Sequence, residues 1–326
     1  MTKLTDEQVA NYLAKIPNAK RDEPIALKTY LKIGGPVRLF VVANSSEELL
    51  TTVNAAVEVG IPFYMMGGGS NILVSDDGFE GVLIQAGNRK YKIEGETVTA
   101  EAGMFTGLLA REAAKAGLEG FEWGIGVPGT MGGATYGDAG CFGGEMRDVV
   151  TNVRAYDLMN KREVNYSNAE CKFAYRESRF KHEPHIILET TMVLKKGDAA
   201  VAQQKLEEIM GKRKDTQPQG AFTAGCLFKN VECESESDLD IARREIDIPE
   251  EMVASKKIPA GWLIDKLGLK GKTIGKAQVS PVHGNFLVNL GGATASDVIQ
   301  LSSFVKMKAR DELGIFLEDE VQYVGF

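Results

Sequence analysis

The sequence predicts an α+β protein of more than one domain. Three observations carry this. Two α/β units succeed each other in the first third of the chain, a glycine-dense stretch without periodicity follows them, and Gln217-Pro218-Gln219-Gly220 separates off a C-terminal region with its own strands and helices. A length of 326 residues accommodates two or three domains.

Thr5-Asp6-Glu7-Gln8 has the form of a capping box, so a short helix is expected up to residue 16. β-Branched and aromatic residues at 37–42 predict a strand. Ser45 or Ser46 then caps a helix with Leu49, Leu50, Val53 and Val57 on one face, closed by Gly60. Short strands are expected at 61–66, 81–85 and 97–102, and a helix at 105–116 closed by Gly117. The stretch 117–144 holds 11 glycines in 28 residues and reads as one long loop, a length that is usually functional or disordered. Its Phe121, Trp123, Ile125, Val127 and Phe142 argue against disorder. Strands at 153–158 and 186–194 and a helix at 198–213 lead to the break at 217–220. Beyond it come a segment at 226–230, an acidic segment at 232–251 read as a solvated surface insertion, and a helix at 261–267. Strands at 278–279 and 286–289, a helix at 296–313 stopped by Gly314, and a strand at 320–324 complete the chain.

A net charge of -7 and a pI near 5.3 argue against a general nucleic-acid binder, while leaving room for a local basic pocket around an anionic small molecule. No apolar run reaches the ~18–20 residues of a membrane helix. The opening residues have neither a basic start nor an apolar signal core, so a cytoplasmic protein is expected. Cys141, Cys171, Cys226 and Cys233 show no CxxC spacing, and neither disulfides nor zinc are expected. His182 and His185 near Cys171 could ligate a metal, but a polar turn around Pro184 accounts for them equally well, and no metal is expected.

Gly67-Gly68-Gly69-Ser70-Asn71 directly follows an expected strand. Three glycines permit positive φ and close backbone approach, so successive N–H groups can face a pyrophosphate; a plain glycine turn would read the same. No Gly-Lys-Ser/Thr follows, so this is not a Walker loop, and Ile72 breaks the GxGxxG fingerprint. The second loop, from Trp123 through Gly126-Val127-Pro128-Gly129-Thr130-Met131-Gly132-Gly133-Ala134, is apolar and can lie flat against a planar ring. Together the loops suggest a dinucleotide, flavin and nicotinamide both remaining open.

An ordered set of motifs narrows this. Lys32-Ile33-Gly34-Gly35-Pro36, the run from Gly68 to Val74, and the run from Gly126 to Ala134 are followed by Tyr175-Arg176-Glu177-Ser178-Arg179-Phe180-Lys181. Then come Ala224-Gly225-Cys226-Leu227-Phe228-Lys229-Asn230, Ala260-Gly261-Trp262-Leu263-Ile264-Asp265, Gly268-Leu269-Lys270-Gly271, the run from Val288 to Thr294, and Leu317-Glu318-Asp319-Glu320-Val321. Over nearly the whole chain this resembles the UDP-N-acetylenolpyruvoylglucosamine reductase family of peptidoglycan synthesis. The brief connection between Lys181 and Gln217 resembles its shorter subclass.

The resemblance implies a vanillyl-alcohol-oxidase-like FAD-binding fold of two α+β subdomains, 1–92 (joined by 318–326) and 93–216, with a substrate domain at 217–317. It implies FAD as cofactor, NADPH as reductant, a UDP-sugar enolpyruvyl ether as substrate, and a monomer. FAD-binding positions would be Gly67, Gly68, Gly69, Ser70, Asn71 and Ile72, with Gly126, Val127, Pro128, Gly129, Thr130, Gly132, Gly133 and Ala134 in the second loop. Arg176 and Glu320 match positions that flank the substrate carboxylate, and Glu320 is expected to have a raised pKa. Cys226 stands where the family's proton-donating Ser is usual; a thiol of ordinary pKa ~8.5 remains protonated at neutral pH and is a stronger acid than an alcohol. Tyr175, Asn230, Lys270 and His283 match substrate-binding positions. The chain departs from the family at Val231 for a usual Pro, Asp138 for a common Asn, and a longer 232–259 connection. Two other classes fit the loops alone, a sugar or alcohol oxidase of the same fold and a non-catalytic nucleotide-sugar binder. The Arg176, Cys226 and Glu320 set and the C-terminal domain speak against the first, and retention of both glycine loops argues against the second.

Overall fold

The structure, a computed structural model, describes residues 2–233 and 246–326. The middle of the acidic segment, 234–245, lies outside the described residues, so its reading as a surface insertion stays an expectation. The chain divides into two compact units. The first comprises 1–23, 37–69 and 80–215; the second comprises 24–36, 70–79 and 216–326.

In the first unit, the four-stranded sheet runs in the order Lys20–Pro24, Pro36–Ala43, Phe79–Ala86, Phe63–Met66, the last pair parallel with Phe63 opposite Val82. Two helices cover it. Asp6–Lys15 starts at Thr5, whose hydroxyl accepts the Gln8 N–H in the expected capping box. Ser46–Val59 starts at Ser45 and stops at Gly60 in the left-handed region. Val9, Tyr12, Leu49 and Val53 from the helices meet Leu39, Val41, Val82 and Ile84 from the sheet. A second core in the same unit lies on an antiparallel sheet ordered Arg162–Ser167, Val150–Asp157, His185–Val193, Thr97–Glu101, Tyr91–Glu94. Leu109 and Ala113 of the helix Thr106–Lys115 and Leu206 of Ala199–Thr216 pack there against Val98, Val153 and Met192. Each such fully buried aliphatic side chain contributes about 1.5–3 kcal/mol.

The stretch 117–144 is not the single loop expected from its glycines. It contains a 3-10 turn at Glu122–Gly126, the helix Met131–Tyr136, and a tight pairing of Gly140–Cys141 with Gly144–Glu145. Several of its glycines serve close packing. A Cβ on Gly132 would sit 2.8 Å from Ala102 Cβ, one on Gly126 2.8 Å from Cys141 Sγ, and one on Gly144 inside the Trp123 ring. Missing side chains therefore allow compact elements here.

The second unit has an antiparallel sheet ordered Phe222–Cys226, Phe286–Asn289, Ala277–Val279, Thr273–Ile274. The helix Ala295–Leu313 lays Val298, Leu301, Val305 and Ala309 in one core with Ala277, Val279 and Leu287. Thr294 caps it, and the Asp76 carboxylate accepts the Ala295 and Ser296 N–H groups at 2.7 and 3.0 Å, which suits the positive end of a helix. Gln322–Val324 runs parallel to Ile72–Val74, a pairing of segments far apart in sequence. The Gly34-Gly35 pair has a packing role: a Cβ on Gly35 would overlap the Asp76 carbonyl.

Candidate active site

In the first unit the two glycine loops touch. A Cβ on Gly67 would collide with Thr130 Oγ1, and one on Gly68 would lie 3.0 Å from Gly129 Cα. Gly69 and Gly129 take φ values of 70° and 109°, so an L side chain at either would be strained. The N–H groups of Gly67, Gly68 and Gly69 have no hydrogen-bond acceptor among the described residues. The second loop is instead held by its carbonyls. Thr106 Oγ1 donates to Val127 O at 2.5 Å, Thr106 N to Gly129 O at 3.2 Å, and the Arg213 guanidinium to Gly126 O. Thr130, buried, accepts Gly133 N–H and so opens the helix Met131–Tyr136, while Gly132 N–H donates to Ala102 O. A bare backbone cradle with unpaired amides suits a dinucleotide's pyrophosphate, so these residues fit FAD.

Arg176 belongs to the same unit. It sits at φ 56°, in a tight turn where Ala174 and Glu177 bridge. Its guanidinium donates to Asp138 O at 3.2 Å and Gly140 O at 3.0 Å. These two carbonyls orient the guanidinium. Gly140 adjoins Cys141, whose thiol donates to Trp123 O at 3.2 Å, so Arg176's perch is continuous with the second glycine loop. Burial pushes the Cys141 thiol up to about 11, and it stays protonated. The Asp138 side chain is fully buried, with Arg147 N–H on Oδ1 at 2.9 Å. Burial, offset in part by Arg147, raises its carboxyl to about 6.

In the second unit, Cys226 ends the strand Phe222–Cys226 just after Gly225, at φ 82°, and a break in register against Phe286–Asn289. Such a bulge re-aims a side chain. Next to it, Glu320 N–H donates to Leu227 O at 2.7 Å, Phe228 bridges Asp319, and Lys229 N–H donates to Glu318 O at 2.8 Å. The motifs carrying Cys226 and Glu320 are thus laid side by side. Asn71 is drawn into this arrangement: its amide donates to Glu320 O at 3.1 Å, and its carbonyl accepts Gln322 N–H at 3.0 Å. Ile72 is buried at the head of the parallel pair.

Asn230, Lys270 and His283 gather around the helix Ala260–Lys266. Asn230 Oδ1 accepts Ala260 N–H at 3.1 Å, Lys270 pairs with Asp265 at 2.8 Å, and the His283 ring fills the space a Gly261 side chain would occupy. Burial first, and Lys270 second, hold His283 below the usual histidine range. The other two histidines face different partners: His182 meets Glu177 at 2.9 Å and His185 meets the Tyr166 hydroxyl at 2.7 Å. No group of three His, Cys, Asp or Glu residues that could hold a metal occurs among the described residues. Nor, among them, is any helix long and apolar enough to cross a membrane.

Residues 217–324 match the family model described as UDP-N-acetylenolpyruvoylglucosamine reductase, C-terminal domain, and residues 37–162 match an FAD binding domain. A UDP-N-acetylenolpyruvoylglucosamine reductase of Solibacter usitatus is 35% identical over 96% of this chain and 99% of its own length. The chain belongs to the UDP-N-acetylenolpyruvoylglucosamine reductase family. The reductase of the same name from Bacillus velezensis is 34% identical, with 93% of each chain covered. The crystal structure of UDP-N-acetylenolpyruvylglucosamine reductase from Thermus caldophilus superposes with a TM-score of 0.74 at 32% identity, covering 94% of this chain and 98% of that one. Within this reductase frame, Thr106 and Arg213 support the second loop and were missed by motif reading. Each acts through backbone groups distant in sequence, and no local pattern marks that.

Proposed function

We propose that this chain reduces UDP-N-acetylenolpyruvoylglucosamine to UDP-N-acetylmuramate, with Arg176 and Glu320 acting on the substrate carboxylate and Cys226 supplying the proton. As a member of its family it is a flavin-dependent oxidoreductase of peptidoglycan precursor synthesis, with FAD as cofactor and NADPH as reductant. The loops at Gly67–Gly69 and Gly126–Ala134 would hold FAD, which when bound would supply hydride transfer from NADPH to the β-carbon of the enolpyruvyl group. Ser70, Asn71 and Ile72 complete the first loop in this reading.

Reduction at the β-carbon drives negative charge into the conjugated carboxylate. A guanidinium pairs bidentately with that group, and charge stabilisation of this kind is strongest where the cation is oriented beforehand. The two carbonyls behind Arg176 supply that orientation. Cys226 then delivers the proton to the α-carbon, and Glu320 shares the carboxylate with Arg176. Tyr175, Asn230, Lys270 and His283 hold the UDP-sugar, Lys270 as a point charge for the diphosphate. The two cores of the first unit correspond in this reading to flavin subdomains 1–92 and 93–216, and 217–317 to the substrate domain. The protein acts as a cytoplasmic monomer.

The observation that supports these roles most is the bond from Glu320 N–H to Leu227 O, which aligns two motifs widely separated in sequence. Cys226→Ala tests them. Bleaching of the flavin by NADPH should persist, while recovery of colour on adding the enolpyruvyl substrate should slow by about 10²–10⁴-fold, the usual contribution of a positioned acid. Normal recovery would remove Cys226 from the chemistry.

A further inference from the structure

The bulge before Cys226 interrupts the regular part of this strand pair. Register against Phe286–Asn289 shifts between Thr223 and Cys226, pairing resumes at Cys226 with Phe286, and Cys226 is the last residue of its strand. Two residues on, both polar backbone groups of Phe228 are held by one side chain. Asn285, 2% exposed, accepts Phe228 N–H on Oδ1 at 2.9 Å and donates from Nδ2 to Phe228 O at 2.7 Å. Its backbone carbonyl accepts Leu227 N–H at 2.8 Å. The carboxamide therefore acts as an extra peptide unit, pairing with both polar groups of a single residue. Asn285 is itself fixed, because its N–H donates to His283 Nδ1 at 3.2 Å. On the far side of the same turn, Leu227 O receives Glu320 N–H at 2.7 Å.

We infer that Asn285 is a positioning residue for proton delivery: it extends the sheet pairing past Cys226, sets the rotation of the turn from Cys226 to Phe228, and through Leu227 sets the backbone of Glu320. The inference rests on the roles given to Cys226 and Glu320 above. Phe228's side chain, 1% exposed, anchors the turn in the core, and Leu227 O and Lys229 N–H pair with Glu320 N–H and Glu318 O, which fixes one edge of the turn and leaves freedom at the other. Two antiparallel hydrogen bonds to one residue remove that freedom. None of the four bonds of Asn285 ties two structural layers together; each serves the 226–228 turn or its own His283 support.

The test compares Asn285→Ala, which removes both side-chain bonds, with Asn285→Asp, which keeps the acceptor for Phe228 N–H. Half-reactions are followed in the FAD-loaded enzyme, and alkylation of Cys226 by iodoacetamide is followed by peptide mass in protein without substrate. In Asn285→Ala, flavin reduction by NADPH should stay within about twofold of the parent. Reoxidation by the enolpyruvyl substrate should fall at least tenfold and Cys226 alkylation should change severalfold, with Asn285→Asp between the two. Equal loss of both half-reactions, or unchanged reoxidation and alkylation, overturns the inference. If Asn285→Ala does not fold, Asn285→Asp carries the same comparison. If neither variant folds with bound FAD, Asn285 is a general fold determinant and the inference is wrong. Cys226→Ala run in parallel separates the two levels. Normal reoxidation there defeats the role of Cys226 itself, whereas slow reoxidation there with normal Asn285 variants defeats only the positioning.

Discussion

Asp138 shows what one buried carboxyl does to this protein. Its pKa lies at about 6 in the folded state against an ordinary 3.8, chiefly through burial. The folded chain therefore binds this proton more tightly than the unfolded one. The associated stability is complete below about pH 4, declines between the two values and is absent above about 6. Asp138→Asn keeps an acceptor for Arg147 N–H without the buried charge. It should raise unfolding free energy at neutral pH by about 1–3 kcal/mol, and that gain should vanish below about pH 4 in urea titrations. A second expectation concerns Cys226, which is half-exposed and which we propose as the proton donor. Dilute peroxide should inactivate the parent and leave Cys226→Ser active, since a hydroxyl does not climb the sulfenic–sulfinic ladder; equal sensitivity of the two would clear Cys226. Arg176, Cys226 and Glu320 were open to proposal from the sequence because each sits in a dense local motif. Asn285 was not, since its partner Phe228 is 57 positions away and only the folded register pairs them.

Elements were legible where their ends are chemical. Thr5, Ser45, Gly60 and Gly314 cap helices as the residues suggest. The stretch 117–144 misled because glycine has two uses. It allows positive φ, as at Gly129 and Gly143, but it also removes a side chain, as at Gly124, Gly126, Gly132 and Gly144. Sequence does not distinguish the two, since the second depends on what packs against the site. The contact between the loops gives a test at this scale. Gly67→Ala drives a methyl into Thr130 Oγ1, so FAD affinity should drop at least tenfold by flavin fluorescence, and Thr130→Ala in the same chain should restore part of it. In the second unit, Asp76→Ala removes a carboxylate from two N–H groups at the start of Ala295–Leu313. With Thr294 still capping, the loss should be about 1–2 kcal/mol in chemical denaturation.

For the molecule as a whole, the division between units falls at 215–216, beside the Pro/Gly/Gln interruption near residue 217. The recruitment of 24–36 and 70–79 into the second unit was not visible, because a strand of three residues such as Ile72–Val74 acquires its identity only from its partner. Removing 320–326 deletes both Glu320 and that partner. The truncated chain should lose the cooperative unfolding of the second unit along with activity, whereas Glu320→Gln should lose activity and keep the transition. The same pairing bears on the order in which the protein is made. Residues 70–79 leave the ribosome early, but the strand that completes them, Gln322–Val324, is synthesised about 250 residues later. At roughly 5–20 residues per second, Ile72, Leu73 and Val74 wait for tens of seconds with exposed edges while the intervening 80–215 can already assemble its own sheet. Growth temperature and chaperone supply should therefore govern soluble yield through this one late strand, and charged substitutions within 72–74 should lower yield more than the same changes at 322–324.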